Sequence, residues 1–277
     1  QILFYTLVVL LGIGIYYIVI WLKEKKYAQL GKTVALFLGA MVFSILMSAQ
    51  PLFVAGEYTP YSTRGGNAIN LNEKPAEEAK KSGGVTLDYA TRWSFAPKEM
   101  MTLISPRFYG GKSQEPYTGK KYPHLKNQMI PGYWGDMPFT QSTEYIGVII
   151  VVLAVFGFYA NRKNGLVITF SVLTVFSLLL SFGRHFPPLY KALFYYLPYF
   201  DKFRAPSMTL ILFTFNVIVL AMFGLKSVLA IDSKEKLKPF LYISGFFAVL
   251  GVLFVIAPNL LSYAGAGDGR YDPKVVD

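Results

Sequence analysis

Four carboxylates in one polar stretch of the chain are of the residue type that supports acid–base chemistry. A catalytic carboxylate must lie within hydrogen-bond reach of the proton that it moves. Each of the four can instead be solvated or paired with an arginine, as Asp88 can with Arg92, and sequence leaves both alternatives open. Glu144 lies at the mouth of an apolar segment, where burying a charge is costly unless it has a partner or a function. The candidate catalytic residues are Asp88, Glu99, Asp136 and Glu144.

Aromatic and basic side chains near these carboxylates suit a sugar phosphate. The flat rings of Trp93 and Trp134 can stack on the C–H face of a sugar, although aromatic residues near a membrane also serve as interface anchors. A guanidinium binds phosphate through two parallel hydrogen bonds, and a basic side chain can equally extend to lipid headgroups. The candidate phosphate-binding residues are Arg204, Arg184 and Lys202.

Several kinds of site are excluded by the residues that the chain lacks. It has no Cys for disulfides, thiolate ligands or Cys nucleophiles. The two histidines, His124 and His185, lie far apart and supply no metal-ligand cluster by themselves. No Walker motif, GxSxG motif or acidic calcium-binding repeat is present. No cofactor is identified, no metal site is predicted, and the need for a divalent metal stays open.

Apolar segments must position these residues, because the chain is that of a membrane protein. It is 53% hydrophobic and 16% charged, whereas charged residues make up about 25% of a soluble domain. The net charge of +11 is explained by basic loops between apolar segments, which face anionic headgroups. Membrane lipids are therefore predicted partners and nucleic acid is not, since no nucleic-acid-binding motif accompanies the charge.

The apolar segments predict an all-α polytopic membrane protein with about six transmembrane helices. Two helices fall in 1–53 and four in 145–263, with a surface interval at 183–206. The region 54–144 is predicted to be one large extracytoplasmic loop, and 264–277 an extracytoplasmic tail. The predicted helices are 2–22, 34–53, 145–160, 166–182, 207–225 and 240–257.

Basic residues orient this arrangement. The short loops at 23–32, 162–163 and 226–238 carry four, two and four basic residues. Because such residues concentrate on the cytoplasmic side, these loops are predicted to be cytoplasmic and the long loop extracytoplasmic. The bias is incomplete, since 183–206 also carries four basic residues. The first residue, Gln1, lies inside an apolar segment, which is typical of an internal fragment.

Short motifs in the polar regions resemble the YfhO family of bacterial polytopic membrane proteins, in particular its members from Bacteroidetes-type bacteria. The resemblance covers about residues 50 to 225. Each motif is weak alone, and the specificity comes from their order and spacing. In chain order the motifs are Arg64-Gly-Gly66, Asp88-Tyr-Ala90 with Trp93-Ser94 and Glu99, Pro106 with Gly110-Gly111, Tyr145-Ile-Gly147, and Phe203-Arg-Ala-Pro206.

This resemblance implies a glycosyltransferase of the GT-C class in the bacterial cytoplasmic membrane. Such an enzyme transfers a sugar from a polyprenyl-phosphate carrier to a cell-envelope acceptor at the outer face of the membrane. The implied partners are a polyprenyl-phosphate sugar as donor and, in an assembly, other membrane subunits. GT-C enzymes usually carry their catalytic acid in the first outer loop, so the resemblance places the catalytic residue outside this chain.

Sugar transfer is the leading hypothesis, and two others stay open. A non-catalytic accessory or structural subunit of a membrane assembly needs no chemistry of its own, and nothing in the sequence excludes it. A transporter or flippase usually carries ionisable residues inside its spans. Asn216 is the nearest approach to a polar residue in the middle of a predicted span, so transport ranks last.

Overall fold

The fold is mostly helical, with one short β-hairpin. The structure, a computed structural model, describes residues 2–62, 84–119, 123–141 and 144–256. The Arg64-Gly-Gly66 motif and the predicted tail therefore lie outside the described residues. In chain order the helices and strands are α1 (Ile2–Lys23), α2 (Tyr27–Met47), α3 (Ala49–Tyr58), α4 (Leu87–Ala90), β1 (Gly110–Pro116), β2 (Met129–Tyr133), α5 (Val148–Ala160), α6 (Gly165–Ser181), α7 (Pro187–Tyr196), α8 (Leu210–Leu229) and α9 (Lys234–Ile256).

Four helical segments among the described residues are long and apolar enough to cross a membrane. They lie in α1, in α2, in α8 with the turn that precedes it, and in α9. Helices α5 and α6 are also apolar but have 13 and 17 residues. At 1.5 Å per residue they measure about 20 and 26 Å, less than the ~30 Å hydrocarbon core. The apolar helices indicate a membrane-associated protein, and the count of six spans stays a prediction.

The second predicted helix, 34–53, differs from the structure at both ends. α2 begins at Tyr27 and ends at Met47, and α3 follows after the single residue Ser48. The earlier start arises because a helix continues through polar residues such as Gln29 that an apolar run does not count. Pro51 lies in the first turn of α3, where the backbone N–H that proline lacks has no helical partner.

The β-hairpin lies within the region predicted to be a loop, so the all-α prediction is incomplete there. β1 and β2 are antiparallel, with Gly110 opposite Tyr133 and Glu115 opposite Ile130. The register shifts between Gly110 and Gln114, as at a β-bulge, which bends the strand. The hairpin fixes the position of Tyr133, after which the chain turns through residues 134–138.

The chain forms two compact units. The first is Gln1–Arg92 with Pro187–Ala205, and the second is Trp93–Phe186 with Pro206–Asp277. Each unit is therefore built from two separate stretches of sequence, and each is described by itself below.

Aromatic rings form the core of the first unit. Phe4 of α1 lies edge to face against Phe203, with ring centroids 5.2 Å apart. Tyr190 of α7 lies against Phe200 at 5.5 Å, and Phe200 is fully buried. Such pairs contribute about 0.5–1.5 kcal/mol each beyond the area that they bury. They fix the segment after α7, which carries two of the predicted phosphate-binding residues.

The second unit is built on the close crossing of α5 and α8. A Cβ added to Gly157 would lie 2.7 Å from the backbone N of Gly224, and a Cβ added to Gly224 would lie 2.7 Å from the carbonyl carbon of Leu153. Small residues allow helix backbones to approach this closely in a membrane. One turn further along, Asn161 Nδ2 donates to Ser227 Oγ at 2.8 Å, which fixes the register of the two helices.

Candidate functional site

Asp136 combines access to solvent with charged neighbours in the second unit. Its Oδ1 lies 2.8 Å from Lys98 Nζ, and its Oδ2 lies 3.9 Å from His185 Nε2. A quarter of the Asp136 side chain is exposed, as is a quarter of the His185 side chain. The carboxylate is therefore accessible to a substrate while Lys98 holds its orientation.

Three segments of the second unit bring these side chains together. Lys98 lies on the 3₁₀-helix Pro97–Leu103, Asp136 in the turn that follows β2, and His185 on the turn Gly183–His185 that follows α6. The three residues are far apart in the chain, so their sequence spacing gives no sign that they meet.

A tight turn places His185. Its neighbour Arg184 donates its backbone N–H to Ser94 Oγ at 2.9 Å. Gly183 has a φ of +45°, and a Cβ at this position would lie 2.6 Å from Pro206 Cγ. Both the positive φ and the close approach require glycine. The turn is thus held against the segment that begins at Trp93.

Glu99 lies beside Asp136 but is buried, with 1% of the residue exposed. Its Oε2 accepts the Ala96 N–H at 2.9 Å, and its Oε1 accepts the Tyr133 hydroxyl. Burial raises the pKa of Glu99, while the hydrogen bonds from Tyr133, Ala96 and the Asp136 backbone act in the opposite direction. A carboxylate with these donors and no access to solvent holds the 3₁₀-helix against the end of β2. These contacts favour a structural role for Glu99, and its place among the candidate catalytic residues stays a prediction.

Tyr133 connects the Glu99 contact to the turn that carries Asp136. Its hydroxyl donates to Glu99 and accepts the Met137 N–H at 3.1 Å. Burial, and next the negative charge of Glu99, raise the pKa of Tyr133, so the hydroxyl stays protonated and remains a donor. One phenol therefore fixes both the strand end and the turn, and thereby the position of Asp136.

The charge on His185 follows from its surroundings. Partial burial lowers the pKa of His185, against the opposing effect of the nearby Asp136 carboxylate, and the cations Arg184 and Lys98 lower it further. The imidazole is therefore neutral at pH 7, and Lys98 is the cation that balances Asp136. A neutral imidazole both donates and accepts a hydrogen bond, which suits the hydroxyl groups of a sugar.

Trp93 lies on the same unit, next to a ring from the Asp136 turn. It packs edge to face on Phe139, with centroids 5.1 Å apart. Phe139 follows Asp136 by three residues and is more than half exposed. Trp134, the other candidate for sugar stacking, donates its backbone N–H to Tyr109 O at 3.0 Å, beside the start of β1. The ring of Trp93 thus lies against a ring from the segment that follows Asp136.

Arg204 lies in the first unit, against Tyr89. Its Nη1 donates to Tyr89 Oη at 2.5 Å, and its guanidinium carbon lies 5.8 Å from the centroid of that ring. The guanidinium carbon of Arg92 lies 5.7 Å from the same centroid, and Arg92 also pairs with Asp88 at 3.4 Å. Both arginines are exposed. Two guanidinium groups thus lie around one tyrosine, and phosphate binding by Arg204 stays a prediction.

The other predicted site residues are divided between the units. Lys202 ends the turn Phe200–Lys202 of the first unit, whereas Arg184 belongs to the second unit beside His185. Asp88 is exposed and paired, as its spacing from Arg92 indicates. Glu144 is exposed just before α5, and desolvation raises the pKa of its carboxyl group. Neither of these two carboxylates has the surroundings that Asp136 has.

Comparisons with known proteins were made by family, by curated sequence and by structure. No protein-family model, curated protein or solved structure matches the chain. The resemblance to the YfhO family accordingly stays a prediction.

Sequence reasoning selected Asp136 and Trp93 by residue type, but it missed Lys98, His185 and Phe139. Lys98 directly precedes Glu99, so a search for basic residues next to the candidate carboxylates would have selected it. His185 was considered only as a metal ligand, and it is too isolated in the sequence to attract another role. A search for paired aromatic residues would have selected Phe139.

The cluster can move a proton at a position that a substrate can reach. A carboxylate with a positioned cation can accept a proton from a hydroxyl nucleophile. Within the described ranges, no three His, Cys, Asp or Glu side chains are grouped so as to hold a metal ion.

Proposed function

We propose that this chain is a membrane glycosyltransferase-like protein that transfers a sugar from a polyprenyl-phosphate carrier to a cell-envelope acceptor. The observation that carries the proposal is the group of Asp136, Lys98 and His185, with the Trp93–Phe139 pair on the same unit. A part-exposed carboxylate, a neutral imidazole and an aromatic pair with one exposed ring are side chains that suit a sugar-transfer site. The resemblance to the YfhO family supplies the class of donor.

Asp136 acts as the general base in this proposal. An acceptor hydroxyl attacks the anomeric carbon of the donor sugar, and its proton passes to Asp136. The bond between that carbon and the phosphate oxygen breaks, and the electron pair leaves with the polyprenyl phosphate. Lys98 keeps Asp136 oriented, and His185 offers a hydrogen bond to a sugar hydroxyl. General-base catalysis of this kind contributes about 10²–10⁴-fold to a rate.

Arginine side chains stabilise the departing phosphate. Arg204 and Arg92 lie around Tyr89 on the first unit, and Arg184 lies beside His185 on the second. Guanidinium groups match the geometry of phosphate oxygens and stay charged at all relevant pH values. Arg184 is the candidate for the departing phosphate, because it lies on the same unit as Asp136. Phosphate binding by Arg204 stays a separate prediction for the first unit.

An accessory role within a membrane assembly is the second candidate. The observation that favours it is the apolar surface of α2, which has no buried residue in this chain. Transport receives no such support. Asn216 is fully buried within the second unit, and an uncharged amide is not an ionisable group of the kind that marks an ion route.

The test is sugar transfer to an added cell-envelope polymer, in vesicles whose only protein is the purified chain. A radiolabelled polyprenyl-phosphate sugar serves as donor, and free polyprenyl phosphate is the product measured. Asp136→Asn should lower the rate about 100-fold or more. Asp232→Asn is the control, because Asp232 also pairs with a lysine, Lys236, at 2.9 Å, but at a more exposed position. Equal rates for Asp136→Asn and the wild type would refute the assignment, and a transferase partner that co-purifies in fixed ratio would favour the accessory role.

A further inference from the structure

An apolar groove runs between α5 and α9 in the second unit. Its volume is about 850 Å³. Helix α5 contributes one wall, and the segment 104–108 borders one end. The wall formed by α9 is one side of that helix, namely Phe240, Ser244, Phe247, Ala248, Leu250, Gly251 and Phe254.

Aromatic pairs hold the walls together at both ends of the groove. Phe240 packs edge to face on Phe156 of α5 with centroids 5.3 Å apart, and Phe254 packs on Phe108 at 5.2 Å. Between these pairs the helices are not in close contact. A Cβ added to Gly251 would have no neighbouring atom within 4 Å. The groove is thus a gap with fixed ends.

The length of the groove suits one lipid chain. Phe240 and Phe254 are fourteen residues apart on α9, which corresponds to about 21 Å. One leaflet supplies half of the ~30 Å hydrocarbon core, so an acyl chain of ordinary length can lie along the groove. The Phe156–Phe240 pair closes one end of the groove. A polyprenyl chain, which is several times longer, would extend beyond it.

The chemistry of the groove also favours a lipid. None of the residues that line it is charged, and α9 is long and apolar enough to cross a membrane, with none of its apolar stretch buried. Water is disfavoured in an apolar cavity, because each molecule needs two to four polar partners. A hydrocarbon chain needs none.

A cation lies beside the groove in the sequence. Arg107 stands between two lining residues, Pro106 and Phe108, and 61% of its side chain is exposed. It forms an ion pair with Glu115, but a guanidinium has five N–H donors. Those that point away from Glu115 suit a phosphate group at the membrane surface.

We propose that the groove binds one acyl chain of a glycerophospholipid whose phosphate lies at Arg107. The site is separate from the Asp136 group, and the proposal does not depend on sugar transfer. A bound lipid would fill the space between α5 and α9 and hold α9 in position.

The experiment is a titration of the full chain in detergent micelles with phosphatidylglycerol, followed by native mass spectrometry. Gly251→Leu should raise the dissociation constant of the lipid about tenfold, because the new side chain occupies the groove. Gly245→Leu is the matched control: Gly245 is on the same helix, has open space around it and does not line the groove. Ser244→Leu fills the groove at a second position, and thus keeps the test decisive if Gly251→Leu does not fold.

A further variant tests the position of the phosphate. Arg107→Ala should bind phosphatidylglycerol no better than diacylglycerol, which has the same chains and no phosphate. Equal dissociation constants for Gly251→Leu, Ser244→Leu and Gly245→Leu would overturn the groove assignment. Tighter binding of a polyprenyl phosphate than of phosphatidylglycerol would overturn the choice of an acyl chain.

Discussion

Glu99 and Asp136 are neighbouring carboxylates whose surroundings give them different tasks. Glu99 is enclosed and accepts hydrogen bonds from Ala96 and Tyr133. These two donors therefore serve to hold the fold. Asp136 has one cation at 2.8 Å and a quarter of its side chain exposed, so it can exchange a proton with a bound molecule. Residue type alone places both on one list of candidates, and burial separates them.

Glu99→Gln is expected to destabilise the second unit by about 1–3 kcal/mol, because its amide NH₂ would face a buried donor. Thermal unfolding of the purified protein in detergent measures this loss. Tyr133→Phe removes one donor to Glu99 and should cost about 1 kcal/mol. Tyr145→Phe is the control, since Tyr145 is half exposed, and its midpoint should match the wild type. An unchanged midpoint for Glu99→Gln would contradict the structural role.

Stability should also depend on pH through Glu99. Burial raises the pKa of Glu99 above 4.5 in the folded chain, so the folded state holds this proton more tightly than the unfolded state does. The free energy of unfolding therefore falls as the pH rises from about 4.5 through the raised pKa. The unfolding midpoint of Glu99→Gln should therefore fall less than that of the wild type as the pH rises from about 4.5 through the raised pKa. Identical pH profiles for the two proteins would show that Glu99 does not titrate in this range.

Arg204→Ala should lower sugar transfer about 100-fold, as expected when a donor to the developing phosphate charge is removed. The fold should persist, because Arg204 is exposed. Arg162→Ala is the matched control: Arg162 also stacks on a tyrosine, Tyr159, at 5.0 Å, but it lies in a loop predicted to be cytoplasmic. Unchanged transfer by Arg204→Ala would contradict phosphate binding by Arg204.

At the scale of elements, the crossing of α5 and α8 is the rigid part of the second unit. The two glycines allow backbone contact, and the Asn161–Ser227 hydrogen bond sets the register. Helix α6 leads from this part to the turn that carries His185. The position of the site therefore depends on helices that contribute no catalytic group themselves.

Gly224→Leu should destabilise the second unit by about 1–3 kcal/mol, because its side chain would be forced against the Leu153 carbonyl group. Gly245→Leu introduces the same side chain on α9, where no atom lies within 4 Å of the added Cβ, and should leave the unfolding midpoint unchanged. Thermal unfolding in detergent compares the two. A smaller loss for Gly224→Leu than for Gly245→Leu would contradict the close crossing.

At the scale of the whole molecule, the orientation in the membrane follows from the basic loops and stays a prediction. The chain has no Cys, so a single introduced cysteine can be labelled without background. Gln114→Cys should react with an impermeant maleimide added to intact cells, whereas Lys163→Cys and Lys234→Cys should react only after the membrane is opened. The opposite pattern would invert the predicted topology.

Hydrophobicity predicts the apolar helices well, and the side-chain clusters poorly. The first predicted helix, 2–22, agrees with α1 to within one residue at its C-terminal end. The last, 240–257, begins six residues later than α9 does, because Lys234–Lys238 are helix-forming although polar. The cluster around Asp136 could not be predicted from the sequence. Lys98 and His185 come close to Asp136 only once a hairpin, a 3₁₀-helix and the turn after α6 have all folded.

The most direct test of Asp136 as the general base compares the initial rates of sugar transfer by Asp136→Asn and by Glu99→Gln. Each rate is corrected for the fraction of folded protein. The account predicts that Asp136→Asn stays folded and loses transfer about 100-fold, and that Glu99→Gln transfers sugar at the wild-type rate in its folded fraction. Full transfer by Asp136→Asn, or no transfer by folded wild-type chain with a polyprenyl-phosphate sugar, would contradict it.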